Sequence, residues 1–320
     1  NRYADLGVRI ADVNSDGYPD LLRYHQYSNG TTIRETFLHN KNQGWEASSA
    51  EWKFPASLAN FLLTAPEIDK AFGLCLADVN GDGWVDLFRH FQDHPANAGG
   101  VITNQAFINN HVNGWDLDAS WQLPEEGVLP INWVVSQSGY FYHEYTGNII
   151  DDVNGDGFAD YVKSKKEGFG PQAHMTFINK KPLAGGWTYN SAWNTQDSIY
   201  TDFAHGAILA DLNGDNLKDI MYSKEGIIKV FINNGATWYE DDSSPWKNEF
   251  GYTNFSDGST QCADINGDGL VDLIVSSDAS EKALLNNGQG WVLDYAWVVP
   301  GNLKSNGTKL LDADADGMLD

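Results

Sequence analysis

Asp78-Val79-Asn80-Gly81-Asp82-Gly83-Trp84-Val85-Asp86 decides how this chain is read. Carboxylates stand at positions 1, 5 and 9 of the nine, an amide at position 3 and a glycine at position 6. Upstream the pattern recurs as Asp12-Val13-Asn14-Ser15-Asp16-Gly17-Tyr18-Pro19-Asp20. Downstream it recurs as Asp152-Val153-Asn154-Gly155-Asp156-Gly157-Phe158-Ala159-Asp160 and as Asp211-Leu212-Asn213-Gly214-Asp215-Asn216-Leu217-Lys218-Asp219. Asp264-Ile265-Asn266-Gly267-Asp268-Gly269-Leu270-Val271-Asp272 and Asp312-Ala313-Asp314-Ala315-Asp316-Gly317-Met318-Leu319-Asp320 complete the set. The starts are spaced by 66, 74, 59, 53 and 48 residues.

This spacing suits calcium, which takes about six to eight oxygen ligands at roughly 2.3–2.6 Å. Side chains at positions 1, 3 and 5 converge when the backbone curls around one point. Glycine at position 6 permits the left-handed conformation that sharpens the curl. The expected shell adds the main-chain carbonyl of position 7 (Tyr18, Trp84, Phe158, Leu217, Leu270, Met318) and a closing carboxylate at position 9. Asn216 replaces the glycine of the fourth loop, and Asn is the next residue in tolerance of that conformation. That loop is expected to bind, less tightly than the others. Asp314 adds one charge to the sixth. One loop of this composition would read equally well as a turn, but six copies of one pattern do not. An EF-hand would need Glu at position 12, where the chain has Arg23, Arg89, Lys163, Tyr222 and Val275. About six calcium sites are therefore expected.

The flanks repeat as well. A short alternating stretch precedes each loop, as in Gly73-Leu74-Cys75-Leu76-Ala77, and an apolar run such as Leu273-Ile274-Val275 follows it. A third segment ends in Asn and turn residues, as in Phe231-Ile232-Asn233-Asn234-Gly235. Two tryptophans then close the unit: Trp45/Trp52, Trp115/Trp121, Trp187/Trp193, Trp238/Trp246 and Trp291/Trp297. Four short strands per unit, with no sustained helical period, is the economy of a β-propeller blade. Such small sheets bury their faces against their neighbours, and the tryptophan pairs read as that packing. The expected fold is all-β: one propeller over residues 1–320, five complete repeats and a partial sixth, read as part of a longer chain.

Net charge is −24, and 42% of residues are hydrophobic. The charge excludes nucleic acid, whose phosphates need a basic stripe, and argues against an anionic membrane surface. No run reaches the ~18 apolar residues of a membrane helix, so no direct membrane insertion is expected. Cys75 and Cys262 lack metal-type spacing and read as buried free thiols, with a disulfide as the alternative. His90 and His94 read as surface residues of a Pro-containing loop.

The run G-h-x-h-A-D-x-N-x-D-G-x-x-D-L resembles the FG-GAP/VCBS repeat, whose calcium-loop propellers include the integrin α-subunit head and some fungal lectins. The Asn-Asn-Gly-x-Gly-Trp element is similar to repeats of bacterial Rhs and insecticidal-toxin-complex proteins. The resemblance implies six or seven blades at closure. It leaves function open, because one fold hosts many roles. An extracellular or cell-surface scaffold for adhesion or assembly comes first, its partners other extracellular proteins or copies of itself. The sequons at Asn29, Asn254 and Asn306 fit a secreted glycoprotein. A lectin is the alternative, with Trp133, Tyr140, Phe141 and Tyr142 as stacking platforms outside the repeat. A polysaccharide-acting enzyme is third: Glu125, Glu126 and Glu144 are available, but no opposed pair is evident. The expectation is a non-enzymatic protein with no catalytic residue.

Overall fold

The computed structural model describes residues 8–26, 31–41, 44–48, 51–58, 74–92, 102–124, 131–135, 141–145, 147–165, 173–180, 186–195, 206–224, 227–247, 253, 255, 259–277, 280–297, 303, 310 and 312. Within them the chain is all-β, with five four-stranded blades of β-propeller type. Blade 1 holds β1 (Val8–Ala11), β2 (Asp20–Gln26), β3 (Thr32–Asn40) and β4 (Gly44–Ala47). Blade 2 holds β5 (Leu74–Ala77), β6 (Asp86–Gln92), β7 (Ile102–Asn109) and β8 (Trp115–Leu117). A hairpin of β9 (Ile131–Val135) and β10 (Phe141–Tyr145) follows. Blade 3 holds β11 (Gly147–Asp151), β12 (Asp160–Lys165), β13 (Ala173–Asn179) and β14 (Trp187–Tyr189). Blade 4 holds β15 (Ala207–Ala210), β16 (Asp219–Lys224), β17 (Ile227–Asn233) and β18 (Trp238–Glu240). Blade 5 holds β19 (Thr260–Ala263), β20 (Asp272–Ser277), β21 (Ser280–Asn286) and β22 (Trp291–Asp294). Each sheet orders its strands as they occur in the sequence. The sixth repeat beyond Asp312 lies outside the described residues, as do the three sequon asparagines. Among the described residues no helix is long and apolar enough to cross a membrane.

The acidic cassette is the hairpin connection between the first two strands of every blade. Ala11 pairs with Asp20, Ala77 with Asp86, Asp151 with Asp160, Ala210 with Asp219 and Ala263 with Asp272. The ninth position therefore opens the second strand. Alternation then sets the inner face of β2: Leu22 and Tyr24 are buried, Leu21 and Arg23 half-buried. β6 is buried on both faces from Asp86 to His90. His90 is thus not a surface loop residue but a strand residue 1% exposed. A continuous run of buried positions overrides the local proline signal; His94 lies outside the described residues.

Two compact units divide the chain, Asn1–Thr146 with Asn179–Thr188, and Gly147–Ile178 with Tyr189–Asp320. In the first, Val13, Leu22 and Tyr24 of blade 1 pack against Leu74, Leu87, Phe107 and Trp115 of blade 2. In the second, Val153, Val162 and Trp193 meet Ile220, Phe231 and Trp238, while Leu212, Met221 and Trp246 meet Leu273, Leu284 and Trp291. The core therefore lies between consecutive blades. Each fully buried aliphatic side chain there contributes about 1.5–3 kcal/mol. The second tryptophan of one repeat meets the first of the next edge-to-face: Trp52 on Trp115 at 6.0 Å, Trp121 on Trp187 at 6.5 Å and Trp193 on Trp238 at 5.1 Å. This bears out the packing reading of the pairs, with two exceptions: Trp45 is 43% and Trp297 38% exposed. Cys75 and Cys262 are half-buried thiols that are not joined in a disulfide.

Polar stitches accompany the apolar seams. The asparagine ending the third strand donates its side-chain amide to the position-2 carbonyl of the preceding blade's loop. Asn109 reaches Val13 at 3.1 Å, Asn179 reaches Val79 at 2.7 Å, Asn233 reaches Val153 at 2.8 Å and Asn286 reaches Leu212 at 2.8 Å. Asn286 also accepts from Gly288 and from the Trp246 indole. Asn286→Ala leaves these buried groups unpaired and should destabilise the protein by about 3 kcal/mol. Exposed Asn287→Ala should change stability by less than about 0.5 kcal/mol. Urea unfolding compares the two, and equal effects would remove the stitch from the account.

Candidate metal centres

Each described cassette folds into the same hydrogen-bonded frame. In the first, Asp12 Oδ1 accepts the Asp16 N–H at 3.1 Å and Oδ2 the Gly17 N–H at 2.8 Å. Asn14 Oδ1 accepts the same Asp16 N–H at 3.1 Å, and Asp16 Oδ1 accepts the Tyr18 N–H at 3.0 Å. One amide, that of position 5, thereby gathers the oxygens of positions 1 and 3. The pattern is repeated at Asp78/Asn80/Asp82, Asp152/Asn154/Asp156, Asp211/Asn213/Asp215 and Asp264/Asn266/Asp268. Position 7 turns its N–H to the position-5 carboxylate in all five, at Tyr18, Trp84, Phe158, Leu217 and Leu270.

Position 6 is left-handed throughout, with φ +89° at Gly17, +85° at Gly83, +87° at Gly157 and +86° at Gly269; Asn216 adopts +66°. The fourth loop thus keeps its shape, as its asparagine predicts. Position 4 is left-handed too, from +71° at Gly81 to +79° at Gly214, with Ser15 at +53°. The sequence reading missed that second requirement, although glycine recurs there in four loops.

Position 9 is the buried member. Asp20, Asp86, Asp160, Asp219 and Asp272 are each 0% exposed. Oδ2 accepts the position-2 N–H at 3.0–3.2 Å. Oδ1 accepts an N–H at the end of the third strand, from His39, Asn109, Asn233 or Asn286 at 2.6–2.8 Å. Burial pushes the Asp20 carboxyl up to about 6 and those of Asp86 and Asp219 up to about 7. The two amides pull the other way and the carboxylates at positions 1 and 5 add to the rise. Asp272 is raised for the same reasons.

The donor set is all oxygen, which fits a hard cation. Each carboxylate oxygen that accepts one N–H retains a second lone pair. Among the described residues no group of three or more His, Cys, Asp or Glu side chains is arranged to hold a metal ion. In the sixth cassette Asp312 is described, while Asp314, Asp316, Met318 and Asp320 lie outside the described residues.

Other candidates separate from this set. β9 and β10 pair Trp133 with His143, Val134 with Tyr142, Val135 with Phe141 and Asn132 with Glu144. Tyr140, Glu125 and Glu126 lie outside the described residues. Blade 1 carries a polar cleft of about 430 Å³ lined by Asn14, Asp16, His39, Lys41, Glu46 and Glu51. His39 stacks on Tyr18 at 5.0 Å and meets exposed Trp45 edge-on at 5.7 Å. In blade 2, His111 Nε2 stands 2.7 Å from Asp82 Oδ2 and its ring stacks on Trp84 at 4.9 Å.

No family model matches the chain. It is 24% identical over 289 residues to a T-cell immunomodulatory protein homolog of Plasmodium yoelii yoelii, a match covering 85% of this chain and 38% of that protein's length. Among solved structures, a lectin of Agrocybe aegerita, described as specifically recognising non-reducing terminal N-acetylglucosamine, matches with a TM-score of 0.59 at 17% identity. That match covers 98% of this chain and 73% of the lectin, and at this identity it speaks for the fold alone. A Tc holotoxin pore of Photorhabdus luminescens matches 92% of this chain and 14% of its own at 17% identity, with a TM-score of 0.39, too low to carry an argument.

The frame assigns different work to positions 5 and 9. Asp86→Ala strands the buried Val79 and Asn109 amides and should cost about 3 kcal/mol even in excess chelator. Asp82→Ala, at a partly exposed position, should cost about 1 kcal/mol or less under the same conditions. Urea unfolding in chelator measures both; a larger loss from Asp82→Ala would overturn the division.

Proposed function

We propose that this chain is a calcium-loaded β-propeller acting as a non-enzymatic extracellular or cell-surface scaffold for adhesion or assembly. The observation that carries the reading is the recurrence of one loop frame in all five blades, each holding three carboxylates and an amide oxygen in fixed positions. Among the described residues the cationic neighbours of the loops differ, with His111 beside Asp82 in one and Lys218 near Asp151 in another. A bound divalent ion would offset the same repulsion at every loop. Asp12, Asn14 and Asp16, with their counterparts in the other loops, would hold it, and the ninth-position carboxylate would lend its remaining lone pairs. The charge of −24 supports the reading, since so many carboxylates need either solvent or cations.

Glycan binding is the second reading. The lectin of like fold supports it, as does the blade 1 cleft, whose lining residue His39 meets exposed Trp45 edge-on and is flanked by hydrogen-bonding side chains. Aromatic faces with polar rims suit sugars, which present C–H faces and hydroxyl edges.

Binding to the folded state adds RT ln(1 + [L]/Kd) per site, about 2.7 kcal/mol at a hundredfold excess over Kd. Chelator should therefore lower the melting temperature markedly, and calcium should restore it. An unchanged melting curve would falsify the calcium reading. A glycan array run in calcium then separates the readings: retention of a terminal sugar favours the lectin, and a blank array favours the scaffold.

A further inference from the structure

Loop geometry imposes an Asn-Gly dipeptide on four blades. Position 3 supplies an amide oxygen to the frame, and position 4 is left-handed, which favours glycine. Asn80-Gly81, Asn154-Gly155, Asn213-Gly214 and Asn266-Gly267 are the result, with φ of +71°, +74°, +79° and +75° at the glycines. Asn-Gly is also the dipeptide most open to spontaneous deamidation, because glycine leaves its amide nitrogen unshielded. That nitrogen bonds to the asparagine Cγ and gives its proton to solvent. The Cγ–Nδ2 bond breaks and ammonia leaves with a proton from water. Water then opens the cyclic imide, giving Asp if the new bond breaks or isoaspartate if the original peptide bond breaks.

In the folded loops the attacking nitrogen is held in all four cases and the leaving amide in three. The glycine N–H donates to the position-1 carboxylate at 2.7 Å for Gly81 and Gly214 and at 2.8 Å for Gly155 and Gly267. The leaving amide donates to the position-5 carboxylate at 2.8 Å from Asn80 and 3.0 Å from Asn213 and Asn266. Both are charge-assisted bonds, the stronger kind. The turn at Asn287-Gly288 differs: its glycine N–H donates to the neutral Asn286 Oδ1 at 3.0 Å, and Asn287 is exposed.

We propose that Asn80, Asn154, Asn213 and Asn266 are deamidation sites guarded by the position-1 carboxylate, with the position-5 carboxylate adding a second guard at Asn80, Asn213 and Asn266, and that they open to modification only when the loop opens. The proposal does not depend on metal binding. An Asp product is tolerable in kind, since the sixth cassette carries Asp314 at this position. An isoaspartate product inserts an extra backbone carbon ahead of the glycine and draws its N–H away from position 1, so the loop would not re-form. The first loop, with Asn14-Ser15, lacks the vulnerable dipeptide.

The test is incubation of the whole chain at mildly alkaline pH, followed by peptide mapping that separates Asn, Asp and isoaspartate. In the native protein Asn287 should convert ahead of all four loop asparagines, and in urea the difference should vanish. Asp78→Ala should speed conversion at Asn80 about tenfold, the factor given by losing about 1.4 kcal/mol of guarding hydrogen bond. Asn213 in that variant should keep its wild-type rate. If Asp78→Ala does not fold, the native-against-urea comparison decides alone. Equal native rates at Asn287 and the loop sites, or an unchanged Asn80 rate in a folded Asp78→Ala, would overturn the proposal.

Discussion

A carboxylate buried at the ninth loop position ties three pieces of chain together in blades 1, 2, 4 and 5. Asp219 shows the arrangement: it begins β16, takes the Leu212 N–H inside its own loop and takes the Asn233 N–H at the end of β17. Two buried backbone donors find their acceptor in one side chain, and an unmade bond of this kind is expensive. The register of the first three strands follows. Once Asp219 is fixed, Ala210 must lie opposite it and Phe231 opposite Ile220.

From that anchor the contact passes to the next blade. Asn233 gives its N–H to Asp219 and its side-chain amide to Val153 of the preceding loop. The position-2 residue whose carbonyl receives the stitch also points its side chain into the core, at 0% exposure for Val153 and Leu212. One residue thus serves the hairpin, the seam and the core at once. Blade 1 is the informative departure. His39 occupies the asparagine position, keeps the backbone bond to Asp20 and turns its ring onto Tyr18. The backbone part of the device survives there, while the side chain is released to line a cleft beside exposed Trp45.

Much of this was legible in the sequence because repetition averages out local ambiguity. The nine-residue cassette, the strand on either side of it and the Asn-Gly turn ahead of a tryptophan each recur, so their period carried the fold. The special backbone of position 6 was readable even through its exception, Asn216. What escaped was information held in three dimensions. Glycine at position 4 was visible in four loops, but nothing in one dimension says that its φ is positive. The third-strand asparagines looked like turn residues, because their partners lie 74–100 residues away. His90 was misjudged from its neighbours in sequence; its burial is decided by the packing of β6 on both faces.

The same geometry sets two demands on the loop carboxylates that pull in opposite directions. As hydrogen-bond acceptors they gain from being charged, since amides bind an anion more strongly than a neutral acid. As a cluster they lose by it, because burial and mutual repulsion raise the ninth-position carboxyls well above the usual range. Protonation would relieve the repulsion but weaken the amide bonds that fix the strand register. A divalent cation relieves it and leaves every acceptor ionised. Of the two remedies only the cation preserves the frame, and this is the physical ground on which the calcium-loaded state proposed above rests, in an architecture that repeats so much carboxylate at one structural position.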